Sequence, residues 1–230
     1  MRIAGLQKLT LLDFPGKVAC TVFTAGCNFR CPFCQNASLV LPERFGAELG
    51  QEEVLAFLRK RRGILDGVAI TGGEPMLHAD LPDFLRKIRE LGFPVKLDTN
   101  GSFPERLREV IEEGLVAYVA MDVKNSPKLY AETAGVSALD LDAIDRSRKL
   151  LMEGRVDYEF RTTVVKGLHT AESLLGAAKW IEGASAWYLQ QYRDSGEILR
   201  ASGLGSFGEN EMHAFAASAE KYVPTFVRGL

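Results

Sequence analysis

Short apolar runs alternate with amphipathic stretches along most of the chain. Six of the runs have the composition of strands, and the first, residues 18–24, is apolar on both faces, which is typical of a strand buried in a parallel sheet. Between them, apolar residues recur at helical spacing and a glycine often follows, which indicates helices that end at glycine. The predicted strands are residues 18–24, 68–71, 94–99, 115–123, 156–165 and 186–191.

Strands and helices alternate in a regular order, which predicts parallel βα units joined by right-handed crossovers. Six such units predict an α/β fold, specifically a partial (β/α)6 TIM-like barrel. An open, doubly wound sheet is the alternative, because periodicity alone does not separate the two architectures. The predicted helices are residues 51–62, 80–91, 104–113, 139–153, 171–182 and 209–222.

The length of 230 residues fits one domain. With 47% hydrophobic residues, the chain has enough apolar surface to form a core without disulfide bonds. We expect a single domain over 1–230, in which residues 1–17 form an N-terminal extension or hairpin, residues 18–192 the partial barrel, and residues 193–230 a C-terminal helical segment.

The charge balance argues against several classes of partner. A net charge of −2 gives no broad electrostatic basis for binding nucleic acid or a membrane surface. No apolar run reaches about 18 residues, so no membrane span is expected. The N-terminus lacks the basic and apolar regions of a signal peptide, so we expect a cytoplasmic location.

Three of the four cysteines are grouped with the spacing C-x3-C-x2-C. Because thiolates are the usual protein ligands of iron–sulfur clusters, Cys27, Cys31 and Cys34 can hold three irons of a 4Fe–4S cluster and leave the fourth open. A zinc site, which usually needs a fourth ligand, and unligated structural thiols are the alternatives. Cys20 stands apart in an apolar run and is predicted to be a buried, small hydrophobic residue. An open iron indicates chemistry at the cluster, in an oxygen-poor environment.

Polar and glycine residues gather where the predicted strands end, which is where parallel βα architectures bind ligands. Gly72 and Gly73 allow a ligand to approach the backbone closely, and Glu74 adds an acceptor for a cationic amine. Each position also has a structural explanation, as a turn glycine, a turn-capping aspartate, a surface ion pair or a core aromatic. The positions at these strand ends are residues 27–34, 72–74, 98–100, 122, 124, 161 and 190–193.

The cysteine spacing, with Phe33 before the last cysteine, resembles that of the radical S-adenosylmethionine (SAM) enzymes. Thr71-Gly72-Gly73-Glu74-Pro75 is similar to the Gly-Gly-Glu-Pro segment after the second barrel strand of that family. Three further segments resemble the glycyl-radical-enzyme activases, and the resemblance, which implies the same partial barrel, extends to about Arg161. These segments are Leu12-Asp13-Phe14-Pro15-Gly16, Asp98-Thr99-Asn100-Gly101 and Asp122-Val123-Lys124.

The resemblance implies two cofactors, a 4Fe–4S cluster and SAM. Cys27, Cys31 and Cys34 would hold the cluster and act in catalysis, and Phe33 would border the adenine of SAM. The cofactor-binding residues implied in this way are Phe33, Gly72, Gly73, Glu74, Asp98, Asn100, Asp122, Lys124 and Arg161.

The same resemblance implies how the methionyl part of SAM is held. Its amino group would lie against residues 72–74, and its carboxylate would bind the planar guanidinium of Arg161. A monovalent cation beside that carboxylate would take Asp98, Thr99 and Asp122 as ligands.

By this resemblance the protein is an activase of a glycyl radical enzyme, of the kind that serves anaerobic ribonucleotide reductase. The reduced cluster would donate an electron to SAM, and the resulting 5′-deoxyadenosyl radical would take a hydrogen atom from a glycine of the partner. A flavodoxin or ferredoxin-type protein would be the reductant. The alternatives are a radical SAM enzyme with a small-molecule substrate, as in modified-nucleoside synthesis, and a non-catalytic electron-transfer or metal-storage protein.

Polar residues outside these motifs bear on the substrate. Residues 190–193 form one polar rim without an evident capping domain, and six strands leave a side of the barrel open. We therefore expect the substrate to be a glycine in a protein loop and not a free small molecule. His78, His169 and His213 lie far apart in the sequence and are predicted to be surface or capping residues.

Overall fold

A computed structural model of the chain describes residues 1–194 and 196–230. Within these residues, eight strands form one sheet, whose spatial order follows the sequence. All of the predicted strands are present, as β2 to β7. The strands are β1 (Ile3–Thr10), β2 (Ala19–Thr24), β3 (Gly67–Gly72), β4 (Val95–Thr99), β5 (Tyr118–Asp122), β6 (Asp157–Val164), β7 (Trp187–Gln191) and β8 (Thr225–Arg228).

The strand directions decide between the two predicted architectures. β1 runs antiparallel to β2, and every successive pair from β2–β3 to β7–β8 is parallel. A doubly wound sheet reverses its strand order at a switch point, whereas this order never reverses, so that alternative is wrong. In the described part of the chain no pairing joins β1 to β8, and the sheet is therefore a partial barrel with an open side.

Helices connect most of the parallel strands, and six of them were predicted from the sequence. Two short helices, α1 and α5, were not predicted, because four and five residues are too few to show a helical repeat of apolar positions. Among the described residues, no helix is long and apolar enough to cross a membrane. The helices in this part of the chain are α1 (Ala37–Val40), α2 (Gln51–Arg59), α3 (Leu81–Glu90), α4 (Pro104–Glu112), α5 (Tyr130–Ala134), α6 (Leu141–Met152), α7 (Ala171–Trp180) and α8 (Glu209–Ala219).

Local sequence explains where several helices begin and end. The side chain of Asp140 accepts a hydrogen bond from the backbone of Ala143 at the start of α6, and Thr170 with Ser173 forms a capping box at the start of α7. Gly135 ends α5 in the left-handed conformation, which glycine adopts without strain. These caps set the lengths of the connections that return the chain to the sheet.

One face of the sheet forms the core with the helices. Ile70, Leu97 and Val119 are neighbours in register on β3, β4 and β5, and all three are fully buried. Phe84 and Ile88 of α3 belong to the same buried cluster. Each such side chain contributes about 2 kcal/mol by leaving water. The core therefore fixes the strands, and with them the positions of the residues at their carboxyl ends.

The C-terminal segment over 193–230 contains the helix α8, and it also contains a strand, β8, that the sequence did not indicate. Arg228 of β8 donates to both carboxylate oxygens of Glu159 on β6, at 2.8 and 2.9 Å. The hydroxyl of Tyr118 on β5 donates to the same carboxylate at 3.0 Å. Three strands are thus tied together inside the barrel. A four-residue strand alternates too briefly for the sequence pattern to reveal it.

Candidate active site

The carboxyl ends of the parallel strands surround a cavity of about 380 Å³. This volume is typical of sites for small ligands, which hold roughly 300–1,000 Å³. All but one of the predicted site residues line the cavity, and the exception is Glu74. The predicted residues that line it are Cys27, Cys31, Phe33, Cys34, Gly72, Gly73, Asp98, Thr99, Asn100, Asp122, Lys124 and Arg161.

The three cysteines lie on the loop that follows β2, which we call the cluster loop (residues 25–35). Backbone hydrogen bonds hold this loop to both of the short helices that the sequence did not predict. Gly26 N donates to the carbonyl of Leu39 in α1 at 2.7 Å, and Arg30 N donates to the carbonyl of Ala134 in α5 at 3.0 Å. α1 and α5 therefore position the cysteines.

The cysteines of the cluster loop are free thiols in an environment that opposes ionisation. Burial raises the pKa of Cys27 to about 12 and that of Cys31 to about 11, although the ammonium of Lys124 acts in the opposite direction on both. The backbone N–H of Phe29 also donates to Cys27 Sγ at 3.3 Å. A metal that binds these sulfurs must displace their protons, so its binding is linked to pH.

A zinc site and an iron–sulfur cluster differ in how close together their ligand sulfurs must lie. Among residues 1–194 and 196–230, no three His, Cys, Asp or Glu side chains are grouped closely enough to hold one ion. In a zinc site the ligand sulfurs lie about 2.3 Å from one ion, whereas a four-iron cluster holds its thiolates further apart.

Gly72 and Gly73 allow the end of β3 to approach the end of β2 and the start of the cluster loop very closely. A Cβ atom at Gly72 would lie 2.3 Å from the carbonyl oxygen of Thr24, and one at Gly73 would lie 1.9 Å from that of Gly26. The φ angle of Gly72 is +125°, which side chains rarely allow. Backbone hydrogen bonds run from Gly73 N to Thr24 O at 2.9 Å and from Glu74 N to Gly26 O at 2.8 Å. The close approach joins two chain segments, which the sequence had not indicated.

Glu74 does not line the cavity, although the sequence predicts that its carboxylate accepts a ligand's amine. The side chain is completely buried. Oε1 accepts hydrogen bonds from Met76 N at 3.0 Å and from the hydroxyl of Thr99 at 2.9 Å, and Oε2 accepts one from Asn100 N at 2.6 Å. Burial raises the pKa of Glu74 to about 7. Glu74 therefore joins the end of β3 to the end of β4 through hydrogen bonds that lie outside the cavity.

Five side chains beside the cavity alternate in charge, and we call Lys96, Asp98, Arg161, Asp122 and Lys124 the charge chain. The ammonium of Lys96 contacts Oδ1 of Asp98, and Arg161 Nη1 donates to Oδ2 of Asp98 at 3.1 Å. Arg161 Nε donates to Oδ1 of Asp122 at 3.0 Å, and Lys124 Nζ donates to Oδ2 of Asp122 at 3.0 Å. Every carboxylate oxygen in the charge chain therefore has a cationic partner.

The cations of the charge chain keep its two carboxylates ionised. Burial alone would raise the pKa of Asp122, but Arg161 and Lys124 outweigh it and hold that pKa at about 2. Burial acts in the same direction on Asp98, and there Arg161 and Lys96 hold the pKa below its usual range. Three cations face two carboxylates, which leaves a net charge of +1. This excess favours a ligand that carries a carboxylate.

Phe33 and Asn100 complete the predicted set. The ring of Phe33 is nearly buried, and its centroid lies 5.9 Å from the ammonium of Lys124. Asn100 donates through Nδ2 to Oδ1 of Asn28 at 2.9 Å and accepts from the backbone of Ser102 at 3.0 Å. Asn100 therefore connects the end of β4 to the cluster loop as well as lining the cavity.

His169 is buried and is therefore not a surface residue, whereas its ring caps two backbone groups, in line with the other predicted role. Its Nδ1 accepts from Val165 N at 3.0 Å, and Nε2 then donates to the carbonyl of Lys124 at 2.8 Å. Asn125 Nδ2 donates to the carbonyl of Leu168 at 3.1 Å. Burial lowers the pKa of His169, which keeps the ring neutral. The loop between β6 and α7 thus holds the backbone of Lys124 in place.

The connection between β7 and α8 crosses the cluster loop. Leu199 N donates to the carbonyl of Cys34 at 3.2 Å, and Arg200 N donates to that of Pro32 at 2.9 Å. These two hydrogen bonds fix the end of the cluster loop that carries the third cysteine. Sequence reasoning missed this contact because it uses backbone atoms, which have no motif.

A family model described as the radical SAM superfamily matches residues 21–171. The match covers more than half of the chain, and it includes the cluster loop and the carboxyl ends of β2 to β6. The chain belongs to the radical SAM superfamily. Membership confirms the resemblance drawn from the motifs and identifies the protein as a radical SAM enzyme, so the non-catalytic alternative is wrong. The superfamily implies a 4Fe–4S cluster and SAM as cofactors.

Individual known proteins resemble this radical SAM enzyme over most of its length. A protein of Methanocaldococcus jannaschii, provisionally named a glycyl-radical enzyme activating enzyme, is 30% identical over an alignment of 233 residues that covers 98% of this chain and 94% of its own. A 7-carboxy-7-deazaguanine synthase of Thermococcus kodakarensis is 26% identical over 212 residues, covering 79% of this chain and 82% of its own. A crystal structure of a domain of pyruvate-formate lyase-activating enzyme from Bacteroides vulgatus superposes with a TM-score of 0.58 at 19% identity, covering 71% of this chain and 99% of that domain.

Proposed function

We propose that this radical SAM enzyme is an activase that forms a glycyl radical on a partner protein. The observation that carries the proposal is the similarity to the Methanocaldococcus jannaschii relative, which extends over 98% of this chain. That similarity extends beyond the region matched by the family model, residues 21–171, into the connection that crosses the cluster loop and the C-terminal strand. An alignment that includes these parts as well as the shared core supports a similar overall organisation and a shared type of substrate.

The cluster is assigned to Cys27, Cys31 and Cys34, which line one cavity without a fourth cysteine beside them. In this superfamily the reduced cluster supplies the electron that splits SAM into methionine and a 5′-deoxyadenosyl radical. The ammonium of Lys124 lies close enough to lower the pKa of Cys27 and Cys31 against the effect of burial, so it stabilises negative charge on the sulfurs. Cys31 is only 7% exposed, which limits access of water.

The charge chain is assigned to the carboxylate of SAM. Its net positive charge attracts a carboxylate, and the planar guanidinium of Arg161 offers a fixed fork of donors. Asp98 and Asp122 hold Arg161 from two sides, so its orientation is set before the ligand arrives. Phe33 is assigned to the adenine. The backbone of Gly72 and Gly73 is assigned to the amino group, because Glu74 is turned away from the cavity.

A glycine in a protein loop is the proposed hydrogen donor. The described strands leave one side of the barrel open, between β1 and β8. Gln190 at the end of β7 lines the cavity and offers polar groups to a peptide backbone. A glycine has no side chain, so its Cα can approach a radical in the cavity more closely than that of another residue.

Among glycyl radical enzymes, we assign an anaerobic ribonucleotide reductase as the partner, with a flavodoxin or ferredoxin-type reductant. The chain is short, and its only cysteine outside the cluster loop is Cys20, which leaves no ligands for a second cluster. Within residues 1–230 the cysteines therefore do not support an additional iron–sulfur insert, which some activases carry. Four free thiols fit a reducing cytoplasm.

Electron paramagnetic resonance tests the proposal. The reduced enzyme, SAM and the candidate partner are mixed without oxygen, and we expect a glycyl doublet on the partner. The doublet is expected to disappear when the partner's glycine is replaced by alanine. Cys31→Ala is the inactive control, and Cys20→Ala is the matched control that keeps all three proposed ligands. Absence of a partner radical from an enzyme that cleaves SAM would contradict the proposal.

A small-molecule substrate is the second candidate, and the similarity to a 7-carboxy-7-deazaguanine synthase supports it. The same experiment separates the two candidates when it is run with and without the partner. Repeated conversion of a small substrate, with no radical on the partner, would favour the second candidate. Stoichiometric radical formation on the partner favours the first.

A further inference from the structure

The three side chains predicted to bind a monovalent cation already have partners inside the protein. Each carboxylate oxygen of Asp98 and Asp122 contacts a cationic group of the charge chain. The hydroxyl of Thr99 donates to Glu74 at 2.9 Å and accepts from the backbone of Gly101 at 3.1 Å. The oxygens that would form a site for Na⁺ or K⁺ are therefore engaged, and the site does not fit the ion.

Lys96 supplies positive charge at the place where the resemblance implied the ion. Its side chain is 3% exposed, and its ammonium contacts Oδ1 of Asp98. Lys96 precedes Asp98 by two positions on β4, so both side chains project from the same face of the strand. An ammonium is a compact, singly charged group. Because it is covalently attached, it neutralises the carboxylate without any ion from solution.

The charge balance also opposes binding of a further cation. The charge chain holds three cationic groups and two carboxylates, and so it already carries a net charge of +1. A bound Na⁺ or K⁺ would raise this to +2 among side chains that are mostly buried. The present excess is better matched by one carboxylate, which is the group that the proposed ligand carries.

We propose that Lys96 replaces the monovalent cation in this enzyme, so that SAM binds without Na⁺ or K⁺. This inference rests on the proposed function only in naming SAM as the ligand. Whatever the ligand, the carboxylates of the charge chain do not bind a monovalent ion.

Thallium-205 resonance measures ion binding directly, since Tl⁺ substitutes for K⁺. The full chain, with and without a reconstituted cluster, is titrated with Tl⁺ in tetramethylammonium buffer. The parent is expected to show no saturable shift, whereas Lys96→Met is expected to gain one because Asp98 loses a cationic partner. Lys149→Met is the matched control, since Lys149 pairs with Asp145 on the surface and its side chain is 67% exposed. That variant is expected to behave as the parent does.

Calorimetry of SAM binding gives the second readout. Replacing tetramethylammonium by K⁺ or Na⁺ is expected to leave the affinity of the parent unchanged. Lys96→Met is expected to bind SAM about tenfold more weakly, because a hydrogen bond between charged groups is lost. K⁺ is expected to restore most of the affinity of this variant. Lys96→Arg keeps the charge and is expected to remain independent of K⁺.

A saturable thallium shift in the parent, or a parental SAM affinity that rises severalfold with K⁺ or Na⁺, would overturn the inference. Both measurements on the parent need no variant, so they decide the question even where Lys96→Met fails to fold. They also need no partner protein. Failure to detect a glycyl radical would therefore count against the proposed function and leave this inference standing.

Discussion

At the scale of residues, two acidic side chains near the carboxyl ends of β3 and β4 differ in the charge of the groups around them. Asp98 contacts two cationic groups, which hold its pKa below the usual range against the effect of burial. Glu74 accepts hydrogen bonds from neutral donors only, and complete burial raises its pKa to about 7. The first carboxylate stays charged at neutral pH, whereas the second titrates there.

This difference predicts how stability depends on pH. The pKa of Glu74 is raised from 4.5 in the unfolded chain to about 7 in the fold, so between these values the folded state holds more protons. The free energy of unfolding therefore falls as pH rises through this window, by on the order of 3 kcal/mol from this group. Urea unfolding of the parent and of Glu74→Gln from pH 5 to 8 measures this fall in the free energy of unfolding.

In Glu74→Gln the group no longer titrates, so its stability is expected to fall less steeply with pH. The variant is also expected to be less stable at pH 5, because an amide cannot accept all the hydrogen bonds that the carboxyl group does. Glu43→Gln alters an exposed glutamate and is expected to keep the parental slope. Equal slopes in the parent and Glu74→Gln would show that Glu74 does not titrate in the fold.

Single residues also show where sequence reasoning ends. Asp98 was found because it lies at a strand end within a recognisable motif, and Arg161 because it lies on a predicted strand. Lys96 was missed, since a lysine within an apolar strand has no motif, although its position two residues before Asp98 placed both on one face. The orientation of the Glu74 side chain could not be predicted from the sequence either, because it depends on hydrogen-bond donors in and directly after a neighbouring strand.

At the scale of elements, the contact between β3 and the cluster loop is the tightest constraint on the site. Gly73 lies so close to the loop that any side chain would meet the carbonyl of Gly26. The same added atom would lie 3.3 Å from Cβ of Cys27, the first of the three cysteines. A substitution at Gly73 therefore disturbs the cluster loop itself, and not only the space for a ligand.

Gly73→Ala is expected to reduce both stability and iron content. Overpacking of this kind costs about 1–3 kcal/mol, which for a chain of this size corresponds to a Tm lower by roughly 2–12 °C. Thermal denaturation and iron analysis after anaerobic reconstitution measure the two effects. Gly46→Ala is the matched control, because a Cβ atom there meets nothing within 4 Å. Full iron loading of Gly73→Ala with a parental Tm would contradict this role.

The long elements were predictable because each repeats its pattern several times. The six buried strands and the six longer helices were all recognised from apolar runs and helical spacing. The short elements were not, and two of them, α1 and α5, hold the cluster loop through Leu39 and Ala134. Their hydrogen bonds join backbone atoms, so the side-chain pattern of the sequence carried no sign of them.

At the scale of the whole molecule, the parallel strands bring distant segments to one rim. The cysteines follow β2, the aspartates end β4 and β5, and Arg161 lies on β6, yet all of them line one cavity. The sequence predicted this convergence because the carboxyl ends of parallel strands meet at the same edge. It did not predict β8, or the connection that crosses the cluster loop, since neither carries a repeated pattern.

Release of 5′-deoxyadenosine from SAM tests most directly whether this cavity is a radical SAM site. The anaerobically reconstituted and reduced parent is expected to hold one 4Fe–4S cluster and to cleave SAM. Cys31→Ala is expected to lose both properties, because it removes one of the three proposed ligands. Cys20→Ala is expected to keep them nearly intact, since Cys20 is completely buried in β2 and does not line the cavity. Parental release of 5′-deoxyadenosine by Cys31→Ala would contradict the account.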